Sequence, residues 1–135
     1  MRVFRARQAM GHPVRGTALV AADGFSARYD LDRGAGVFSR PAHKLAGQSY
    51  VGKVLVLDTA KGGVATAWML HEMASRDIVP LALVFNSVNP ILAQGAAFGD
   101  VPMLAGFDVD ITRAIPNGAS VAIDPAAHTI TVVEE

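Results

Sequence analysis

The alternation of apolar and polar residues predicts strands near both ends of the chain. Val14–Ala21 is apolar and β-prone, and the turn-forming segment "DGFS" follows it, so we predict the first strand there. Near the C-terminus, the segments "SVAID" and "TITVV" alternate apolar with small or polar residues on either side of a turn at Asp124–His128. This pattern predicts a terminal β-hairpin.

The middle of the chain predicts parallel strands joined by helices. Lys53–Leu57 is a continuous apolar run, which is typical of a strand buried on both faces, and an apolar helix is expected from Val64 to Arg76. Val79–Phe85 predicts a second buried strand, so the three segments form a right-handed βαβ unit. A second helix at Pro90–Phe98 and a short strand at "VPMLAG" follow. The fold class is therefore α/β with a mixed sheet.

A long segment between the first two strands lacks this regularity. Asp30–Gly52 contains four glycines and a proline, and it predicts an extended loop around one short strand at Gly36–Ser39. Loops longer than about 12 residues are often functional, so we expect an interaction surface here, with apolar residues that need a partner. Two alternatives exist for Asp30, Asp32 and Arg33, a polar cluster and a solvated face of this loop, and we favour the solvated face.

Composition excludes several classes of function. The 135 residues fit one domain, and 12 basic against 12 acidic residues leave no charged footprint for nucleic acid or for a membrane surface. Without cysteine the chain cannot form disulfides or bind metals through sulfur, and its four histidines show no ligand spacing. Neither a signal peptide nor a run of roughly 18 apolar residues is present, so we expect a cytoplasmic protein.

The segment "DTAKGGVATAW" is the strongest candidate for a binding site. It follows a predicted parallel strand and opens a helix, and ligands of α/β sheets usually bind at such loops. Lys61 supplies a positive charge, while Gly62, Gly63 and Val64 lie where free helix N–H groups can bind a carboxylate or phosphate. Asn86, which follows the next strand, is expected in the same cleft. The alternative is a tight turn without a ligand, because the spacing fits neither a Walker motif nor a dinucleotide fingerprint.

The helix after this loop is apolar on nearly every side. Such a helix is expected to be buried against more than one layer. Its Trp68 and its methionines are therefore expected in the core or in a subunit interface. His71 and Glu72 are adjacent and point in different directions, which argues against a shared metal site.

The order of these segments resembles a known family. "RGTALV", "HKLAGQSYVGKVLVL" with Gly47 and Gly52, the glycine loop, "NPILAQGA" and "GASVAIDPAAHTITV" together resemble the small subunit, or swivel domain, of aconitase X enzymes. The resemblance covers nearly the whole chain and implies one swivelling β/β/α domain over residues 1–135. It further implies that the chain caps a large catalytic subunit carrying an iron or iron–sulfur centre, and that it binds no cofactor itself.

The resemblance also implies a reaction, the dehydration of a small hydroxy acid. The family acts on cis-3-hydroxy-L-proline in bacteria and on mevalonate 5-phosphate in archaea, and the high alanine content and the bacterial style of the glycine loop favour hydroxyproline. Two other hypotheses are a phosphohistidine-type carrier and a non-catalytic scaffold. The carrier requires a histidine beside the glycine loop, where this chain has Ala67 and Trp68.

One departure from the family pattern concerns the glycine loop. Family members have a Gly-Arg-Gly-Ser-Ser type of loop, whose serine resembles the proton-abstracting residue of aconitase. Here Lys61 matches the arginine and Gly62 the glycine, but Gly63 stands in place of the serine. Thr66, the nearest hydroxyl, is the candidate catalytic residue of this chain. The alternative, which we favour, is that the large subunit supplies the base and this loop binds only the carboxylate.

Overall fold

The structure is a computed structural model that describes residues 2–26, 30–60, 64–88 and 100–134. For Val64–Ala67 it describes the helical backbone only. The predicted helix at Pro90–Phe98 and the predicted ligands Lys61, Gly62 and Gly63 lie outside the described residues.

Ten strands and two α-helices form the described part of the chain. In chain order they are β1 (Arg2–Arg5), β2 (Gln8–Met10), β3 (Val14–Val20), β4 (Leu31–Asp32), β5 (Val37–Phe38), β6 (Val54–Thr59), α1 (Val64–Ser75), β7 (Ala82–Ser87), β8 (Met103–Ala105), α2 (Ile111–Ala114), β9 (Ser120–Asp124) and β10 (Thr129–Glu134). A single 3-10 turn at Pro125–Ala127 joins the last two strands.

Eight strands build one mixed sheet in the order β1-β10-β9-β3-β6-β7-β8-β2. The central strands β3, β6, β7 and β8 are parallel, and the outer pairings are antiparallel. The predicted α/β class, the mixed sheet and the C-terminal hairpin are confirmed. The carboxyl ends of β6 and β7 lie side by side, with Thr59 opposite Ser87.

The two outermost strands of this sheet are consecutive in the chain. β1 and β2 lie at opposite ends of the strand order, yet only Ala6 and Arg7 separate them. An extended residue spans at most about 3.6 Å, so the sheet curls until its two edges approach each other. The Ala6 amide donates to the His128 carbonyl at 2.7 Å, and the Arg7 amide donates to the Gly106 carbonyl at 2.8 Å.

The curled sheet has a hydrophobic cluster on each face. Leu55, Leu57, Leu83 and Phe85 pack in one cluster with helix α1 and with residues of the 31–50 segment. The second cluster contains the alternate residues of the same strands, and these pack against Ile111 of α2 and the hairpin β9–β10. Burial on both faces explains why "KVLVL" and "LALVF" are apolar at every position.

Several strand predictions needed adjustment. The strand predicted at Val79–Phe85 is observed at Ala82–Ser87, because Pro80 has no N–H to donate to the ladder. Strands β1 and β2 were missed, since neither is a long apolar run: both are outer strands with exposed or half-buried residues. Helix α1 at Val64–Ser75 agrees with the prediction.

The segment from Asp30 to Gly52 packs onto the sheet, and it presents less apolar surface than predicted. Most of its larger apolar residues are buried in the cluster that contains α1, namely Leu31, Phe38, Leu45 and Tyr50, whereas Val51 is 39% exposed. The short strand predicted at Gly36–Ser39 is β5, and it pairs with β4, which the sequence did not predict. The segment therefore supplies its own contacts to the core.

Helix α1 is buried on one side only, which corrects the prediction of burial against several layers. Leu70 and Met73 lie in the core, but Trp68 is 66% exposed. The Trp68 and His71 rings are arranged edge to face, with 6.2 Å between their centres. Trp68 is thus excluded from the core of the described chain. No helix in the described part of the chain is long and apolar enough to cross a membrane.

Candidate functional site

Polar side chains meet at the carboxyl ends of β6 and β7. The Asn86 side-chain amide donates to Asp58 Oδ1 at 3.0 Å and to Asp110 Oδ1 at 2.8 Å. Its own oxygen accepts the Ile111 amide at 2.8 Å. We call Asp58, Asn86 and Asp110 the edge network. It joins the ends of two parallel strands to the start of α2, at the sheet edge where α/β proteins usually bind ligands.

Asp110 is the N-cap of helix α2. Its Oδ1 accepts hydrogen bonds from the Thr112 hydroxyl at 2.7 Å and from the Thr112 amide at 3.1 Å. Hydrogen bonds from the Thr112 and Asn86 side chains hold the pKa of Asp110 below its ordinary value, and Arg113 acts in the same direction. The carboxylate therefore stays charged in mildly acidic solution.

Two hydroxyl groups lie at the same edge. The Ser87 hydroxyl, at the end of β7, donates to the Thr59 hydroxyl, at the end of β6, at 3.1 Å. The sequence alone pointed to one hydroxyl near the glycine loop, that of Thr66. The signal that identifies Thr59 and Ser87 is the strand register, which places the last residues of β6 and β7 opposite each other.

Residues 23–25 lie beside the end of β6, immediately before the glycine loop. The Asp58 amide donates to the Asp23 carbonyl, and the Phe25 amide donates to the Thr59 carbonyl, both at 2.9 Å. Phe25 also forms a parallel bridge with Ala60. The backbone that leads into the glycine loop is thus held from its side by the segment after β3.

A buried polar cluster holds that segment in place. The His43 ring is fully buried and stacks on Phe38, with 4.6 Å between the ring centres. Its Nδ1 accepts the Leu45 amide at 3.0 Å, so the proton lies on Nε2, which donates to the Gly24 carbonyl at 2.8 Å. Arg40 Nε donates to the buried carboxylate of Asp30.

Asp30 and Asp23 complete this cluster. Asp30 is only 3% exposed and accepts the Ser26 amide at 2.9 Å, so the solvated face expected for Asp30 is wrong: its Arg40 partner lies ten residues further along the chain. Burial raises the pKa of Asp23, but hydrogen bonds from the Lys44 and Gly24 amides, together with the nearby Arg40 cation, outweigh it and hold the pKa below its ordinary value.

The predicted site residues are only partly within the described chain. The backbone of Val64 begins α1, as expected, and Asn86 lies at the carboxyl edge of the sheet, as expected. Asn86 is not free to reach a ligand with both ends of its amide, because Asp58, Asp110 and Ile111 already contact it. The side chain of Thr66 is not among those described, so its catalytic role stays a prediction.

The described residues do not fit a metal centre. In ranges 2–26, 30–60, 64–88 and 100–134, no group of three or more His, Asp or Glu side chains is arranged to hold a metal ion. The chain also has no cysteine to bind an iron–sulfur cluster.

Comparison with known proteins decides the family. The profile of the aconitase X swivel domain matches residues 3–132, which is nearly the entire chain. The chain belongs to the aconitase X swivel domain family. The glycine loop, the edge network and the polar cluster behind them are thus features of an aconitase X swivel domain.

Similar proteins agree with this membership. The phosphomevalonate dehydratase small subunit of Methanopyrus kandleri is 31% identical over 84% of this chain and 84% of its own length. The protein of the same name from Methanocella arvoryzae is 28% identical over 89% of this chain and 91% of its own. A crystal structure of Thermococcus kodakaraensis aconitase X superposes with a TM-score of 0.91 over 99% of this chain and 100% of that one, at 24% identity, and confirms the swivel-domain fold.

Proposed function

We propose that this chain is the small subunit of a phosphomevalonate dehydratase. The observation that carries the proposal is the similarity, over more than four-fifths of the chain, to archaeal proteins of that name. The preference for cis-3-hydroxy-L-proline rested on alanine content and the style of the glycine loop, and aligned relatives are stronger evidence than either. The alternative substrate, mevalonate 5-phosphate, is therefore the better proposal.

The reaction removes a proton and a hydroxyl group from neighbouring carbons. In mevalonate 5-phosphate the hydroxyl leaves from the carbon next to the one that bears the acidic protons, and that second carbon is attached to the carboxylate. As the proton leaves, negative charge develops toward the carboxylate. Lys61 and the amides of Gly62, Gly63 and Val64 would bind this carboxylate and stabilise that charge.

The edge network and the buried polar cluster have supporting roles in this proposal. The edge network holds the strand ends beside the glycine loop, while the cluster of Asp23, Asp30, Arg40 and His43 fixes the segment that pairs with Asp58–Ala60. Preorganised donors contribute more to charge stabilisation than donors that must reorient during the reaction.

A large subunit is required to complete the site. The relatives are named small subunits, and the described residues hold no metal ligand set, so we propose that any iron or iron–sulfur centre, and the base that removes the proton, belong to the large subunit. Swivelling of this domain against its partner would open and close the cleft.

The test is co-expression of this chain with its large subunit, followed by an ultraviolet assay of dehydration. Turnover of mevalonate 5-phosphate that requires both chains supports the proposal. Turnover of cis-3-hydroxy-L-proline instead would replace the substrate, and a stable large subunit that is equally active alone would favour the scaffold hypothesis.

Two substitutions in the complex separate the roles of the glycine loop. Lys61→Ala should raise KM at least tenfold by removing a charge-assisted bond to the carboxylate. Thr66→Val removes the hydroxyl and keeps the shape, so kcat should be unchanged if the large subunit supplies the base. A kcat reduced a hundredfold or more by Thr66→Val would instead make Thr66 the catalytic residue.

A further inference from the structure

The single tryptophan of the chain is exposed on helix α1. Trp68 is 66% exposed, although Leu70 and Met73 of the same helix lie in the core. A tryptophan side chain contributes about 150–250 Å² of surface to a core or an interface, so this exposure leaves on the order of 100 Å² of the side chain in water. Tryptophan is also among the residue types that most often dominate the binding free energy of protein–protein interfaces. Trp68 is therefore the first candidate for a contact with another chain.

Trp68 lies near the carboxyl edge of the sheet. The last residue of β6 is Thr59, and the helical backbone of α1 begins at Val64. Trp68 is four residues after Val64, which is about 6 Å along the helix axis. The exposed indole thus lies about one turn from the end of the helix that faces this edge.

A second exposed apolar residue lies at the same edge, on the other face of the sheet. Val109 is 49% exposed and lies in the loop that leads from the carboxyl end of β8 to α2. Helix α1 packs in one hydrophobic cluster, and Ile111 of α2 packs in the other, so the two helices are on opposite faces. The residue after Val109 is Asp110 of the edge network. Trp68 and Val109 therefore flank the edge network on its two sides.

The other exposed large apolar residues of the described chain lie away from this edge. Val3 and Val133 are in the outer strands β1 and β10, and Val51 precedes β6 at the opposite edge. Single exposed valines are common on protein surfaces and need no partner. Trp68 and Val109 differ from them because the polar candidate site lies between them.

The charges at this edge also favour a particular partner surface. Asp108 and Asp110 each have an arginine partner. Within the described residues no basic side chain lies at ion-pair distance from Asp58, whose carboxylate accepts a hydrogen bond from Asn86. Lys61 is assigned to the substrate in the proposed function. A basic side chain from another chain, placed opposite Asp58, would offset its charge and reduce its repulsion of an anionic substrate.

A partner that completes the candidate site must cover this edge, and the proposed function supplies that partner, the large subunit of the dehydratase. We propose that Trp68, Val109 and Asp58 form the docking surface for the large subunit. The large subunit presents apolar side chains to Trp68 and Val109 and a basic side chain to Asp58. This proposal rests on the proposed function for the identity of the partner.

The affinity of the two subunits tests the docking surface without a substrate. Trp68→Ala should raise the Kd of the complex at least about 30-fold, the loss typical of a tryptophan that dominates an interface. Val109→Ala removes less apolar surface and should raise the Kd about 3- to 10-fold. An unchanged Kd for Trp68→Ala overturns the proposal. Because Trp68 is placed against protein and not against substrate, kcat at saturating large subunit should be unchanged in Trp68→Ala.

Val3→Ala is the matched control. Val3 is 60% exposed, but it is aligned through β10 and β9 with the beginning of β3, towards the opposite edge. Its variant should leave the Kd unchanged. Trp68→Ala and Val109→Ala should unfold at the same urea concentration as the wild type, because both side chains are exposed. A Kd raised equally by Val3→Ala and Trp68→Ala overturns the proposal, because it indicates an effect that is not confined to the docking surface.

A label in the otherwise unaltered chain gives a second readout that needs no substitution. Incorporation of 5-fluorotryptophan places one fluorine in this chain, at Trp68. Its NMR resonance should move when unlabelled large subunit is added, and its sensitivity to exchange of H₂O for D₂O should disappear. A resonance that stays accessible to solvent in the complex overturns the proposal. A resonance that moves when this chain alone is concentrated also overturns it, because Trp68 then contacts a second copy.

Asp58→Asn tests the charge of the partner surface. The variant keeps an acceptor for the Asn86 amide and removes the negative charge. It should raise the Kd about 3- to 10-fold at low salt, and the difference from the wild type should shrink at high salt because ions screen the attraction. A Kd that equals the wild-type value at low salt overturns the basic side chain opposite Asp58.

The outcomes separate the docking surface from the proposed function. If the complex dehydrates mevalonate 5-phosphate but Trp68→Ala binds the large subunit as well as Val3→Ala does, the docking surface is wrong and the proposed function stands. If Trp68→Ala weakens a complex that does not act on mevalonate 5-phosphate, the docking surface stands and the proposed function is wrong. If the two chains do not associate, both are wrong.

Discussion

Replacement of Asn86 by aspartate is the sharpest test of the edge network. The two side chains have the same shape, and aspartate keeps an acceptor for the Ile111 amide. It loses, however, both hydrogen bonds that Asn86 donates to Asp58 and Asp110, at 3.0 and 2.8 Å. It also places a third negative charge between two others.

The size of the effect follows from these contacts. Each bond to a carboxylate contributes about 1.5 kcal/mol, taking the lower limit for a partly exposed site. Each new pair of charges about 3 Å apart repels by about 1.4 kcal/mol at the dielectric constant of water. Because the new side chain can rotate away from its neighbours, we expect Asn86→Asp to lower the free energy of unfolding at pH 7 by about 3–5 kcal/mol.

The pH dependence distinguishes repulsion from simple loss of contacts. In the variant, the crowded carboxylates raise one folded-state pKa above its unfolded value, so stability should increase as pH falls from 7 to 5 and the proton restores a donor. In the wild type the folded pKa of Asp110 is lowered, so its stabilising contribution is present at higher pH and disappears as pH falls through that pKa. Both Asp110 pKa values lie below pH 5, so between pH 7 and pH 5 this contribution should stay nearly constant in the wild type, whereas Asn86→Asp should gain stability.

Urea unfolding of the wild type, Asn86→Asp and Asn86→Ala at pH 7 and pH 5 measures these differences. The alanine variant removes both bonds to the carboxylates and the acceptor for the Ile111 amide without adding charge, so its deficit of about 3–4 kcal/mol should not shrink in acid. If Asn86→Asp and Asn86→Ala show the same deficit at both pH values, the three side chains are not as close as the edge network requires.

Two further predictions concern the packing that supports the site. His43→Ala should lower the free energy of unfolding by about 3 kcal/mol, because it removes two hydrogen bonds and leaves a cavity beside Phe38. His43→Gln keeps a donor for the Gly24 carbonyl, so it should lower the free energy of unfolding clearly less. Equal losses in urea unfolding would contradict the role of Nε2. Gly11→Ala should cost about 2–4 kcal/mol, because Gly11 has a φ of +99° and a Cβ there would lie 2.7 Å from Pro102 Cα. Gly47→Ala, at a φ of +85° with open space around it, should cost only about 1–2 kcal/mol in the same assay, and equal costs would exclude the clash.

The elements that sequence reasoning found are those whose burial dictates their pattern. β6 and β7 are apolar throughout because both faces of each strand are covered, and the terminal hairpin alternates with the register that pairs Ile123 with Ile130 and Val121 with Val132. The outer strand β1 could not be found in this way. Val3 in that strand is 60% exposed, so its neighbours were free to be charged.

The candidate site, like the fold, was predicted where local sequence pattern determines it and missed where tertiary contacts do. The carboxyl ends of parallel strands can be located from sequence, which is why Asn86 was placed at the correct edge. Its partners could not be, because Asp110 comes from α2, a helix of one turn with too few residues to show a period. The pairing of Asp30 with Arg40 was missed for a related reason. It depends on how a loop folds over the core, and the local sequence pattern does not predict the path of an irregular loop.

The short link between β1 and β2 also governs when this protein can fold. β1 pairs with β10, so β1 has no partner until β10 has been synthesised, and Val3 can pair with Thr131 only after more than a hundred intervening residues. Contacts between residues so far apart in sequence form slowly. While the chain is incomplete, β9 and β3 lack neighbours that will later cover them, and the nascent protein exposes strand edges to other chains. We therefore expect that removal of residues 2–5 would leave β10 as an exposed strand edge and promote aggregation, while leaving the polar residues of the candidate site intact.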